Sequence, residues 1–294
     1  MLSALLWLLP VDATFLDADL ELTPFGYFPK DCIRRVPEGS YVRQRTDGAV
    51  EVVRGDEVEV QHPKPHCVEH ANKTLGARSV VRDGWLDYVE HYTPTDTYLG
   101  FFEGTYTIPD SPPAGMDGQT LFYFIGTENL GAEKGRDFLS TTILQPVLTW
   151  GNGHRDWNMA SWNCCPAGEP TTSDFLTGLE AGTTAYGNIT VDYDSDSATV
   201  VSSYSGKDVT LTITGELRTF NWMDVTLEVY TVDSCADFAA SDATIDKMSS
   251  KDQDGKALVP VWKDATGSTS CSGSQTYTTT SWTDHHSTSF LATE

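Results

Sequence analysis

Between residues 97 and 232 the chain is a succession of short runs rich in Val, Ile, Thr, Tyr, Phe and Trp. Gly, Asp, Ser and Asn separate them. The runs are 97–109 (TYLGFFEGTYTIP), 119–126 (QTLFYFIG), 140–151 (STTILQPVLTWG), 157–162 (WNMASW), 184–193, 198–204, 207–213, 216–220 and 225–232. Branched and aromatic side chains suit a pleated surface, and the separators favour turns. No window carries a helical stripe of useful length except 236–248. Many strands without intervening helices predict an all-β fold, a two-sheet antiparallel sandwich over about 83–235. An N-terminal extension (14–82) precedes it. A C-terminal segment (236–294) is expected to pack on the core, with a last strand over 276–282.

Inside the extension, the alternating runs 40–45 and 49–53 flank Thr46-Asp47-Gly48, a hairpin signal. The six cysteines suit an oxidising compartment. Bridging Cys32 to Cys67 closes the extension, and Cys235 to Cys271 ties back the C-terminal segment. Cys164 and Cys165 then pair with each other or exchange with one of those bridges. Residues 1–13 (MLSALLWLLPVDA) read as a secretory signal peptide, being apolar but too short to span a bilayer. Asn72-Lys73-Thr74 and Asn188-Ile189-Thr190 are glycosylation triplets. Together these features predict a secreted, extracellular protein. With 19 Lys and Arg against 42 Asp and Glu, the net charge is -23. Such a surface repels phosphate backbones and anionic lipid, which excludes nucleic acid and membranes as partners and suits an acidic medium.

His62, His66, Cys67 and His70 lack a second cysteine pair at finger spacing, and Pro63 and Pro65 interrupt them. Asp192, Asp194 and Asp196 lack the glycine and distal glutamate of a calcium loop. No metal and no cofactor is therefore expected. There is no Gly-x-Ser-x-Gly, and the histidines fall in loops or termini, which removes a serine triad. Two polar residues stand out within apolar strands, Gln145 in ILQPVLTW and Glu228 in DVTLEVY. Period two places Asp224, Thr226, Glu228 and Tyr230 on one face, either a wet outer face or the floor of a groove.

The order ILQ…W, a tryptophan-rich strand and a late acidic strand before a cysteine resembles the fungal glutamic peptidases, the eqolisins, across about 83–235. Ile108-Pro109 before a Ser/Pro/Gly loop adds to the likeness. The pattern of ILQPVL, ASWNCC and LEVY is also similar to a broader set of secreted proteins. The resemblance implies a concanavalin-like sandwich acting as a hydrolase, an endopeptidase working in acid, with Gln145 and Glu228 as its catalytic dyad. In such a dyad the carboxylate activates a water and later protonates the leaving nitrogen, while the glutamine amide donates to the oxyanion. Ser161 and Thr149 stand where the family carries acidic residues, and Pro146 follows the glutamine directly. The alternative function is a carbohydrate-binding sandwich. Its aromatic groove would hold Trp150, Trp157, Trp162 and Trp222, with Asp224 and Tyr230 as further substrate contacts, unless these tryptophans fill the inter-sheet core. The substrate is accordingly a polypeptide or a polysaccharide. The extension is expected to cover the groove as a propeptide does.

Overall fold

The computed structural model describes residues 20–76, 84–115, 118–129, 143–154, 156–165, 168–265 and 271–290. The signal peptide expected at 1–13 lies outside them. The strands before the helix are β1 (Leu20–Thr23), β2 (Gly26–Pro29), β3 (Arg34–Arg35), β4 (Tyr41–Gln44), β5 (Val50–Arg54) and β6 (Glu57–Gln61). Helix α1 (Pro65–Gly76) follows. Next come β7 (Gly84–Tyr92), β8 (Leu99–Thr107), β9 (Thr120–Glu128), β10 (Ile143–Trp150), β11 (Trp157–Cys164), β12 (Thr171–Thr172) and β13 (Leu176–Leu179). The chain continues with β14 (Thr184–Asp192), β15 (Ser197–Tyr204), β16 (Lys207–Thr214), β17 (Trp222–Tyr230) and β18 (Ala243–Asp252). It ends with β19 (Ala257–Leu258), β20 (Lys263–Asp264), β21 (Cys271–Tyr277) and β22 (Trp282–Phe290).

These strands form two large sheets. The first runs β20-β7-β17-β9-β10-β11-β12-β3, with β13 also on β11. The second runs β21-β22-β18-β8-β14-β15-β16-β4-β5-β6, with β19 on β18. Pairing is antiparallel except where the N-terminal segment joins, β3 on β12 and β4 on β16. Leu144, Leu148, Trp150, Trp157, Met159, Val225 and Leu227 of the first sheet meet Tyr106, Ile189, Val200, Leu211 and Ile213 of the second in one buried core. The expected all-β sandwich is therefore the observed fold, and the extension adds strands to both of its sheets.

A second apolar cluster lies on the other side of the first sheet. There Leu22, Phe25 and Phe28 of the β1–β2 hairpin, with Cys32, Cys67 and Ala71, cover Phe122, Phe124, Val147, Ala160, Trp162 and Tyr230. The first sheet is thus buried on both faces, and every residue of β9, β10, β11 and β17 is buried. Cys32 is bridged to Cys67 and Cys235 to Cys271, with Cα–Cα distances of 5.6 and 5.4 Å, and Cys164 to Cys165.

The hairpin at Asp47-Gly48 forms as the sequence predicts, with Asp47 Oδ1 accepting from the Ala49 amide and Gly48 at φ 80°. The helix predicted over 236–248 does not. Asp237 Oδ2 accepts from the amides of Asp233 and Ser234, closing a single 3-10 turn at Cys235–Asp237. Thr244 and Ile245 then pair with Thr107 and Tyr106 as β18. The last strand predicted over 276–282 is instead the end of β21 and the start of β22 joined by a turn at 278–281, with the Thr278 amide bonded to the Ser281 carbonyl.

Phe28 is fully buried in the outer cluster. Truncating such a phenylalanine typically costs about 3–5 kcal/mol. Phe28→Ala is therefore expected to lower the urea midpoint strongly; an unchanged midpoint would show that the hairpin does not seal the face.

Candidate functional site

Alternation along a strand decides which residues meet on the covered face. In β10, Leu144 and Leu148 point into the inter-sheet core while Ile143 and Val147 join the outer cluster, so Gln145 faces outward with them. In β17, Val225 and Leu227 point inward and Tyr230 outward, which sends Asp224, Thr226 and Glu228 outward as well. Gln145 and Glu228 thus share one face. It is not a wet face: Asp224 is 0 % and Glu228 3 % exposed, because the N-terminal hairpin covers what strand periodicity alone leaves open.

Register decides which of them stand side by side. Strand β9 lies between β17 and β10. Asp224 is opposite Gly126 and Glu228 opposite Phe122. On the other edge of β9, Leu144 is opposite Thr127 and Val147 opposite Phe124, which sets Gln145 level with Gly126. Gln145 pairs onward with Trp162, and Asp224 pairs outward with Glu90. One transverse row therefore reads Glu90, Asp224, Gly126, Gln145, Trp162. Glu228 belongs to the row of Thr149 and Asn158. At about 4.8 Å between strands and 3.4 Å per residue, Gln145 lies about 10 Å from Asp224 and about 17 Å from Glu228, Cα to Cα.

Gly126 makes the short row usable. A Cβ built there would meet Asp224 Oδ1 at 2.3 Å, so the Asp224 carboxylate leans over the glycine toward β10. Asp224 Oδ2 accepts from Thr226 Oγ1 at 2.5 Å, and Glu228 Oε1 accepts from Tyr230 Oη at 2.6 Å. Gln145 is 1 % exposed, yet among the described residues neither its Oε1 nor its Nε2 has a hydrogen-bond partner. Leaving buried polar groups unmet costs about 1–3 kcal/mol each.

Pro146 removes a backbone donor beside Gln145, and the second sheet repairs the gap. Tyr106 Oη donates to the Pro146 carbonyl at 2.9 Å and accepts from the Ile125 amide at 3.0 Å. Burial holds this phenol well above its ordinary pKa. Gly187 leaves the space that Pro146 fills, since a Cβ there would meet Pro146 Cγ at 2.6 Å.

The other site residues predicted from sequence divide between the two faces. Trp162 faces outward, edge-on to Phe25 at 6.1 Å. Trp150 and Trp157 do not line a groove; they pack on each other at 5.3 Å in the inter-sheet core. Trp222 faces outward and stacks on Trp85 at 5.5 Å and 15°. Tyr230 meets Tyr27 of the covering hairpin at 5.9 Å. Ser161 points inward to Ser202 Oγ at 3.0 Å. Asp192 closes the β14–β15 turn through the amides of Asp194 and Ser195. His66 bonds Asp31, and Cys67 is consumed in its disulfide. Asn188 is half-buried on β14; Asn72 lies in α1, its side chain outside the described residues.

Sequence reasoning missed Glu90, Gly126 and the aromatic edge of Trp85, Tyr88 and Tyr92. The register of β7 on β17 shifts between Leu227 and Glu228, where Asp87 opposes Leu227 but Trp85 opposes Glu228. This bulge turns Trp85 to the outer face and breaks the period-two reading of WLDYVEHY.

No family model matches the chain, and no curated protein matches it in sequence. Among solved structures, the chain is similar to Scytalido-glutamic peptidase with a peptide-based transition-state analog, at 11 % identity and TM-score 0.48 over 70 % of this chain and 98 % of that one. It is also similar to basic winged bean lectin with Tn-antigen, at 12 % identity and TM-score 0.30 over 69 % of this chain and 82 % of that one.

Tyr106→Phe would strip both the Pro146 carbonyl and the Ile125 amide of their partner. The expected loss is about 1–3 kcal/mol in chemical denaturation. A neutral result would show that the phenol does not hold β10 in place.

Proposed function

We propose that the chain is a secreted, acid-acting endopeptidase whose working face is the outer side of its first sheet. Gln145 and Asp224 flank the scissile bond, and Glu228 is a second carboxylate further along the same face. The observation that carries this reading is the buried Gln145 amide. Among the described residues it has no hydrogen-bond partner, and it stands level with a carboxylate that leans toward it across a glycine. An amide held that way is ready for a ligand carbonyl. The three disulfides support the extracellular assignment.

The chemistry follows from the row. A water between the two side chains gives its proton to the Asp224 carboxylate as its oxygen attacks the peptide carbonyl carbon. The carbonyl oxygen becomes an oxyanion, to which Gln145 Nε2–H donates. The carbon–nitrogen bond then breaks, and the proton held by Asp224 passes to the leaving nitrogen. Residues 20–33 lie over this face, so the described conformation is a latent one.

One observation favours the carbohydrate reading. Trp85, Tyr88 and Tyr92 form an aromatic edge beside Glu90, and Tyr92 is 48 % exposed, a surface on which a sugar ring can stack. One experiment separates the two. Wild type and the uncovered Phe28→Ala variant are assayed on an unfolded protein substrate in acid. Phe28→Ala is expected to cleave faster. Asp224→Asn is expected to abolish cleavage, Gln145→Ala to lower it by about 10²–10³, and Glu228→Gln to lower it less. If Glu228→Gln alone abolishes cleavage, the carboxylate assignment moves to Glu228. Absence of proteolysis in both forms, together with polysaccharide retention that Trp85→Ala removes, would replace the peptidase reading with glycan binding.

A further inference from the structure

A second polar cluster is sealed between the sheets, away from the face described above. Asp87 comes from β7 of the first sheet, while Asp284 and His286 come from β22 of the second. All three are buried, and their ligand atoms lie within 4.8 Å of one another. His286 Nε2 is 2.9 Å from Asp87 Oδ2 and 3.2 Å from Asp284 Oδ2, with only 2 % of its side chain exposed. The imidazole is held flat against Phe238, ring centroids 4.0 Å apart at 9°. Gly273 opposite leaves room for the ring, since a Cβ there would meet His286 Cε1 at 2.5 Å.

This cluster is not satisfied as it stands. Asp87 Oδ1, Asp284 Oδ1 and both ring nitrogens of His286 lack a hydrogen-bond partner among the described residues. Nε2 is close to two carboxylate oxygens yet meets hydrogen-bond geometry with neither. Buried orphans of this number ask for a missing partner, such as an ion. An imidazolium beside two carboxylates would leave a net buried charge of −1. A neutral imidazole with two carboxylates around a divalent cation leaves none.

We infer that Asp87, Asp284 and His286 bind one divalent first-row cation, Zn²⁺ or Mn²⁺, as a structural staple between the two sheets. The donor set of one imidazole nitrogen and two carboxylate oxygens suits these ions. With metal–ligand bonds of about 2.0–2.2 Å, ligand atoms stand about 2.9–3.5 Å apart; the two nitrogen–oxygen distances, 2.9 and 3.2 Å, fall in that span. Because the three side chains are sealed from solvent, the ion is taken up as the sheets close. It would join β7 to the C-terminal strands near the point where the Cys235–Cys271 bridge also anchors them.

The test uses the untagged full chain, unfolded in denaturant with its disulfides intact, stripped with EDTA and refolded with Zn²⁺, Mn²⁺, Co²⁺ or chelator alone. Expected results are one bound metal per chain by elemental analysis, visible Co²⁺ absorption, and a higher melting temperature than in the chelator-refolded sample. Asp284→Asn and His286→Gln should refold to the same β circular dichroism without metal or the temperature gain. Should either variant fail to fold, the wild-type comparison of metal against chelator decides alone. Equal melting temperatures with no stoichiometric metal would overturn the site, as would undiminished binding in a folded Asp284→Asn variant.

Discussion

Burial of the first sheet on both faces governs what its four central strands can carry. A sandwich sheet ordinarily hides one face and wets the other, so half of its side chains need no protein partner. Here the inter-sheet core takes one face and the N-terminal hairpin with α1 takes the other. Every polar side chain in β9, β10, β11 and β17 must therefore be matched inside the protein. Some inward ones are. Ser161 meets Ser202, and the Tyr106 hydroxyl fills the break left by Pro146. Thr127, on the same terms, donates to the Trp222 carbonyl at 2.7 Å. Gln145 on the outer face and Asn163 on the inner one both keep their two amide atoms unmet among the described residues.

The strands themselves were legible, because branched and aromatic runs punctuated by glycine and aspartate describe a pleated surface without reference to anything distant. Face assignment was not. Leu22, Phe25 and Phe28 lie some 200 residues before Glu228 in the chain, and nothing local to DVTLEVY says that they will cover it. Trp150 and Trp157 show the same limit, since their burial in the core follows from alternation with Leu148 and Met159 rather than from residue type. Where strand order is non-sequential, partners are also hidden. Placing β17 beside β9 makes Asp224 the row-mate of Gln145, although the chain spacing of Asp224 and Glu228 treats both alike.

The C-terminal region was hidden for a related reason. A short stretch whose only apolar residues are Ala243, Ile245 and Met248 is ambiguous between periods until a neighbour claims its backbone. Strand β8 does so here. Once β18 is in place, β22 pairs with it and carries Asp284 and His286 across to the first sheet. A histidine that the sequence assigns to a polar terminus thereby becomes one of the most enclosed ionisable groups in the fold.

The covering hairpin and the orphaned glutamine are linked by Trp162. This side chain is the register partner of Gln145 and receives the edge of Phe25. Lifting the hairpin would uncover an apolar aromatic surface and a preset amide in the same movement. Ligand sites usually combine those two properties, with apolar area supplying affinity and a few fixed polar groups supplying orientation. The apolar contacts of Phe25 and Phe28 offset the strain of keeping Gln145 unmet while the face is closed. Under the proposed peptidase reading, an extended polypeptide would serve both needs when the face is open, its side chains replacing the phenylalanines and its carbonyl meeting the amide. Hydrogen bonding alone would not select such a cover, because the hairpin leaves Gln145 without a partner. Its contribution is to exclude water from Gln145.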